Sequence, residues 1–288
     1  MKPMNPEEPE EPRDPADPAV RADSADSEGS SAEYADGGPV LVGVGVGPGD
    51  PELVTVKGVN ALRGADTVVV PVMERGGTGR AEATVLHYVD ASKVVRVVFA
   101  LNERSDRARR EAAWDAAGGR VAELLRGGGT VAFATIGDPN VYSTFGYLAQ
   151  TVAAALPELD VRTVPGVTAM QDLAARSGAV LTEGTEPLTL VPVTAGLGVL
   201  REALAGPGTV VAYKFGRQAA QVADALRESG RTEGAVWGSA LGLPGESITP
   251  AAEPAAEPGA GPWPVSAALP YLSTLIAPAR RDSRGGKL

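Results

Sequence analysis

From residue 40 onward, short runs of β-branched and small apolar residues alternate with stretches in which apolar positions return every three or four residues. The first kind predicts buried strands near 40–46, 67–72, 93–99 and 130–135, and the second predicts helices near 51–63, 80–88 and 103–126. Alternation of this sort is the signature of a mainly parallel sheet covered by helices. A further short strand, Val161 to Val164, leads into Pro165-Gly166-Val167-Thr168, where Thr168 suits the N-cap of the next helix. Beyond about 187 the pattern changes. Leu188–Val193, Thr209–Phe215, Ala235–Leu241 and Pro270–Ala277 read as strands, with one helix among them near 217–229, which predicts a second unit with a more mixed or antiparallel sheet. The expected fold class is therefore α/β, with two α/β domains over 39–165 and 166–288. Residues 250–264, dense in Pro, Ala and Glu, are expected to form a mobile surface loop.

The glycines sharpen this picture. Val40 to Val46 is an apolar run that ends in Gly43, Gly45, Gly47 and Gly49 at alternate positions and then Asp50-Pro51. It reads as a buried strand, a tight turn and a helix start, with Asp50 as N-cap and Pro51 at the first helical position. Glycines there permit positive φ and let a ligand or another strand approach the backbone closely. Two familiar phosphate motifs fail on spacing. G-x-G-x-x-G would need glycine at Pro48 or Asp50, and a P-loop would need Gly-Lys-Ser/Thr where the only nearby lysine, Lys57, lies inside the helix. A second strand, Thr130 to Thr135, breaks into Ile136-Gly137-Asp138-Pro139 ahead of another helix, so two loops are expected at one sheet edge, sharing a cleft. Asp138 read by itself is a helix cap. His87 and Trp114 fall in helical stretches and read as packing or surface residues.

Composition narrows the function classes. The 288 residues exceed a typical single domain of roughly 100–200 residues. There is no cysteine and one histidine, which excludes disulfides, thiolate metal sites and a multi-histidine zinc site. No metal site is expected. No apolar run approaches the roughly 18 residues of a membrane span, and the acidic N-terminus is unlike a signal peptide, so a cytoplasmic protein is expected. The net charge is −10, but residues 1–38 hold eleven acidic side chains against Lys2, Arg13 and Arg21, leaving the rest at only −2. A nearly neutral body argues against nucleic acid as a partner. In residues 1–38, prolines recur at 3, 6, 9, 12, 15 and 18 with almost nothing apolar between them, which predicts a disordered tail of polyproline II character.

Gly45-Val46-Gly47-Pro48-Gly49-Asp50-Pro51-Glu52-Leu53, Gly137-Asp138-Pro139 with Tyr142-Ser143-Thr144, and Pro165-Gly166-Val167-Thr168-Ala169 together resemble the motif set of the tetrapyrrole methylases. Pro192 to Leu197, Lys214-Phe215-Gly216-Arg217, Leu243-Pro244-Gly245-Glu246 and Pro270 to Ser273 narrow the resemblance to members that act on precorrin-2 at C(20) in cobalamin biosynthesis. It covers about 40 to 278. The resemblance implies two α/β domains with S-adenosylmethionine (SAM) in the cleft between them, a homodimer, and methyl transfer to a tetrapyrrole that gives precorrin-3A. Carried over by motif, the SAM contacts are Pro48, Ile136, Gly137, Asp138, Val141, Tyr142, Ser143, Thr144, Thr168 and Ala169, with Tyr213 and Lys214 from the second domain. The substrate's carboxylates call for arginines at the cleft, with Arg75, Arg80, Arg104 and Arg217 as candidates. No catalytic base is expected, because a sulfonium is its own leaving group. A sister methylase acting on another corrinoid or on cobalt-factor II, a nucleic-acid methyltransferase of this fold, and a non-catalytic corrinoid-binding protein remain as alternatives.

Overall fold

The computed structural model describes residues 38–74, 76–99, 107–250 and 272–281. The expectations for the N-terminal tail, the 250–264 loop, Arg75 and Arg104 fall outside the described residues, apart from Gly38 and Pro250 at the two edges.

The first sheet holds β1 (Pro39–Gly45), β2 (Thr67–Val72), β3 (Val94–Val98), β4 (Gly129–Thr135) and β5 (Asp160–Val164), in the order β3-β2-β4-β1-β5 and all parallel. Every residue of β1 is buried, as a strand covered on both faces requires. One face carries a core of Val40, Val42, Val44, Val68 and Val70 under Ala61 and Leu62 of α1 (Val56–Gly64) and Val85 of α2 (Glu82–Leu86). The other packs Leu41, Val69, Val131 and Phe133 against α3 (Arg107–Leu125) and α4 (Phe145–Ala155). β1 and β4 are neighbours, yet α1 and α4, which follow them, lie on opposite faces. The loops after these two strands therefore part at a topological switch point, where open α/β sheets form a crevice.

The second sheet is mixed, as the change of pattern beyond 187 predicts. β6 (Leu188–Pro192) and β7 (Thr209–Tyr213) are parallel, whereas β10 (Ser273–Ala277), β8 (Val236–Ser239) and β9 (Ser247–Pro250) add antiparallel, in the order β6-β7-β10-β8-β9. α6 (Leu197–Ala205) and α7 (Ala219–Glu228) cover one face and α5 (Ala169–Ser177) packs on the other.

Three local expectations change. The helix expected over 51–63 is a 3-10 turn, Pro51–Leu53, followed by α1. Asp50 does cap and Pro51 does lead, but only for that turn, in which Asp50 Oδ1 accepts from Glu52 N at 2.9 Å. Thr55 caps the α-helix proper by accepting from Gly58 N at 3.0 Å. α6 was not expected, because it starts at Gly196 with no side-chain cap and carries Gly198, both of which read as breakers in sequence. Leu200 and Leu204, one turn apart, bury its inner face. The edge strand β9 was likewise unexpected. His87 is exposed just past α2, and Trp114 stacks on Tyr147 with centroids 4.7 Å apart, so both are surface or packing residues. Among the described residues, no helix is long and apolar enough to cross a membrane.

Candidate active site in the cleft between the two sheets

The loops after β1 and β4 are joined backbone to backbone. Val46 N donates to Thr135 O at 2.9 Å and Gly137 N to Gly47 O at 2.8 Å, the second forming an isolated antiparallel bridge just past the parallel pair. The glycines make this junction possible by removing side chains from the chain's own path. A Cβ on Gly45 would lie 2.5 Å from Gly137 O, one on Gly43 would enter the Phe145 ring, and one on Gly166 would strike Gly137 O. Thr84 Oγ1 donates to Gly49 O at 3.1 Å and Tyr88 Oη to Pro51 O at 2.6 Å, which fixes the first loop from α2.

Asp138 is not a helix cap. Its Oδ1 accepts from Asn140 N at 2.7 Å and its Oδ2 from Gly166 N at 3.0 Å, so it closes its own turn and ties the β4 loop to the loop after β5. α4 begins only at Phe145, after Thr144. Ser143 Oγ accepts from Phe145 N at 3.1 Å and pairs with Thr135 Oγ1 at 3.0 Å, joining the end of β4 to the start of α4. Thr168 stands at the N-cap of α5, with Gln171 Oε1 accepting from Thr168 N at 2.8 Å and from Thr168 Oγ1 at 2.9 Å.

These loops face the ends of β7 and β10 across a cleft of about 710 Å³, open solvent at its mouth included. All the expected cofactor residues except Ser143 and Thr144 line it: Pro48, Ile136, Gly137, Asp138, Val141 and Tyr142 from the first sheet's loops, Thr168 and Ala169 at α5, and Tyr213 and Lys214 after β7. Leu241, Leu272, Ser273 and Thr274 also line it and were not expected as site residues. Leu272 and Ser273 lie within or beside a motif that had been singled out, so a signal for them was present. Thr274 had none, because its place depends on β10 pairing with β7. Arg80 and Arg217 are exposed and do not line the cleft.

Two lining residues hold left-handed backbone without being glycine, Tyr142 at φ 51° and Lys214 at φ 61°. Each costs about 1–2 kcal/mol, and such residues gather at functional sites. The two meet across the cleft. Tyr142 Oη donates to Leu190 O of β6 at 3.2 Å, its ring lies edge-on to Tyr213 at 5.5 Å, and Lys214 Nζ stands 5.3 Å from the Tyr142 ring centroid. The Tyr213 hydroxyl is buried and faces the Thr168 side chain and the Met170 backbone. Burial pushes its phenol up to about 12, so it is a neutral donor near pH 7.

The chain matches the family of Tetrapyrrole (Corrin/Porphyrin) Methylases over residues 40–255. It belongs to that family. This tetrapyrrole methylase is 32% identical over 248 residues to a precorrin-2 C(20)-methyltransferase of Sinorhizobium sp, covering 84% of this chain and 96% of that one. It is 30% identical over 207 residues to a cobalt-precorrin-2 C(20)-methyltransferase of Salmonella typhimurium, covering 72% and 85%. A uroporphyrin-III-C-methyltransferase from Thermus thermophilus shares its fold, with a TM-score of 0.54 at 24% identity over 84% of this chain and 92% of that one.

One buried carboxylate of the methylase lies near the cleft without lining it. Asp172 on α5 is 6% exposed, and its Oδ2 is 3.6 Å from Arg176 with no hydrogen bond. Burial raises its carboxyl above the usual range, with Arg176 partly countering. The folded state thus binds this proton more tightly than the unfolded chain does. The stabilisation is complete below the unfolded value of about 3.9 and is lost as pH rises through the folded value. Asp172→Asn is expected to raise the melting temperature at pH 8 by about 2–4 °C, the equivalent of about 1 kcal/mol. The gain should shrink as the pH falls toward 4. A lower melting temperature than wild type at pH 8 would mean that attraction to Arg176 outweighs desolvation.

Proposed function

We propose that this chain transfers the methyl group of SAM to carbon 20 of precorrin-2, giving precorrin-3A in cobalamin biosynthesis. The same reading takes it as a cytoplasmic homodimer of two-domain chains divided near 165. The observation that carries it is the convergence of three motif-bearing loops and the ends of β7 and β10 on one cleft lined by Tyr213, Lys214 and Asp138.

In this reading Pro48, Ile136 to Asp138, Val141, Tyr142, Thr168, Ala169, Tyr213 and Lys214 hold SAM, with Ser143 and Thr144 supporting from behind. Bound SAM supplies a methyl group already activated by its sulfonium. The protein's task is therefore positioning, which contributes on the order of 7–11 kcal/mol when reacting atoms are held about 3–3.5 Å apart. Asp138 spends both carboxylate oxygens on backbone N–H groups, so its role is to fix the loop and not to accept a proton. Tyr213 brings a neutral hydroxyl to the cleft wall, and Lys214 is a cation for an anionic group of the ligand.

The test is single-turnover reaction with isotope-labelled SAM and either precorrin-2 or its cobalt complex, in the presence of a strong chelator of free metal. Labelled methyl at C(20) of precorrin-2 is expected. A label at another carbon, or transfer only to the cobalt complex, would assign the chain to a sister activity, and chelator-sensitive turnover would contradict a metal-free transfer.

A further inference from the structure

The turn between β8 and β9 supplies Leu241 to the cleft, and it is built under strain. Ala240 has φ 50°, Gly242 φ 68° and Gly245 φ 85°. Left-handed backbone at alanine costs about 1–2 kcal/mol, so the turn persists only where its surroundings hold it. Ala240 N donates to Leu272 O at 3.0 Å and Leu243 N to Ala240 O at 2.9 Å. Glu246 N donates to Leu243 O at 3.2 Å, and its side chain adds a further hold, with Oε2 accepting from Gly242 N at 2.7 Å. That carboxylate is gripped in turn by both guanidinium nitrogens of Arg176, one at 2.6 Å to Oε2 and the other to Oε1. Arg176 lies in the last turn of α5, the helix whose first residues line the cleft.

On its other side the turn abuts the loop after β1. A Cβ on Gly49 would stand 2.6 Å from Leu241 O, and one on Gly242 would strike the backbone N of Asp50. Leu241 is thus held between α5 and the loop that carries Pro48, and both of these contribute to the cleft wall.

We propose that Arg176 and Glu246 are positioning residues for the cleft, a clamp that keeps the 240–246 turn and Leu241 seated against the loop after β1. The proposal rests on reading the cleft as the SAM site. Their side chains are 39% and 29% exposed, and an ion pair so exposed contributes only about 0.2–1 kcal/mol to global stability. A merely structural pair would therefore change the melting point slightly and SAM affinity not at all. A clamp does the reverse, because releasing the strained turn displaces one wall of the cleft.

The experiment is calorimetric titration of SAM into the wild type, Arg176→Ala, Glu246→Ala and the double variant, with melting temperatures and steady-state kinetics on each. Each single change is expected to weaken SAM binding by about three- to tenfold, with the melting temperature of Glu246→Ala within about 2–4 °C of wild type and that of Arg176→Ala lower, because it also leaves the buried Asp172 carboxylate without its neighbouring cation. The double should bind no more weakly than either single, the KM for SAM should rise, and kcat at saturating SAM should stay within about twofold. Glu246→Gln keeps an acceptor for Gly242 N and should recover part of the loss. If Glu246→Ala does not fold, it carries the test by the same criterion. Wild-type affinity in the single variants, or losses that add in the double, would overturn the clamp. The wild-type titration separates the two claims: no SAM binding there sinks the reading of the cleft itself, whereas normal wild-type binding with unchanged variants sinks only the clamp.

Discussion

Gly137→Val is expected to raise the dissociation constant for SAM by about tenfold or more in a protein that still folds. Gly137 sits at φ 72° on the lining of the cleft, with its N–H bonded to Gly47 O. The nearest heavy atom to an added Cβ is Thr168 Cα at 3.9 Å, so a Cβ itself meets no clash. The difficulty is the dihedral, since a β-branched residue in left-handed backbone is a true outlier and costs about 1–3 kcal/mol. Relaxing that strain means turning the Gly137-Asp138 peptide, which moves the loop that Asp138 ties to Gly166. A loss of about 1.4 kcal/mol in binding is tenfold. Calorimetry on a variant with a cooperative melt checks this, and undiminished affinity would remove the β4 loop from the proposed SAM site.

Arg231→Met is expected to destabilise the protein by about 3–5 kcal/mol, a fall in melting temperature of roughly 10 °C. Arg231 is 4% exposed, and its guanidinium donates to five carbonyl oxygens: Leu204 and Gly206 at the end of α6, Gly208 before β7, and Ala277 and Pro278 at the end of β10. Methionine fills much of the volume but leaves those acceptors unpaired, at about 1–3 kcal/mol for each that stays dry. These contacts lie at the opposite end of β7 and β10 from Tyr213 and Thr274. SAM affinity of the folded variant should therefore be near wild type. Thermal and denaturant unfolding of the two proteins tests this, and a change under about 1 kcal/mol would show that water replaces the arginine.

The comparison of the two glycine loops shows where sequence reading carried and where it stopped. An apolar run broken by Gly-Asp-Pro is a local signal, and it located the ends of β1 and β4 within a residue or so. The same signal misassigned Asp138, since whether a carboxylate caps its own helix or a neighbouring loop depends on what lies opposite it. Gly166, opposite it, is 28 residues away in sequence. α6 was missed for the converse reason. Its N-terminus carries no side-chain cap, and its stability comes from Leu200 and Leu204 meeting a sheet that the sequence does not display.

The sequence by itself determined the alternation of strands and helices, the change from a parallel to a mixed sheet, the family resemblance and most of the cleft lining, because periodicity, turns and motifs act over a few residues. Only the tertiary structure decided that β1 and β4 are neighbours, that Tyr142 reaches β6, that Thr274 joins the cleft through its pairing with Tyr213, and that Arg176 grips Glu246. It likewise left Arg80 and Arg217 exposed and outside the cleft lining, although nothing in their sequence neighbourhoods separates them from a cleft residue. Those facts depend on strand order and on contacts between residues tens of positions apart. Such contacts are selected by the packing of whole sheets and helices, which no local pattern encodes.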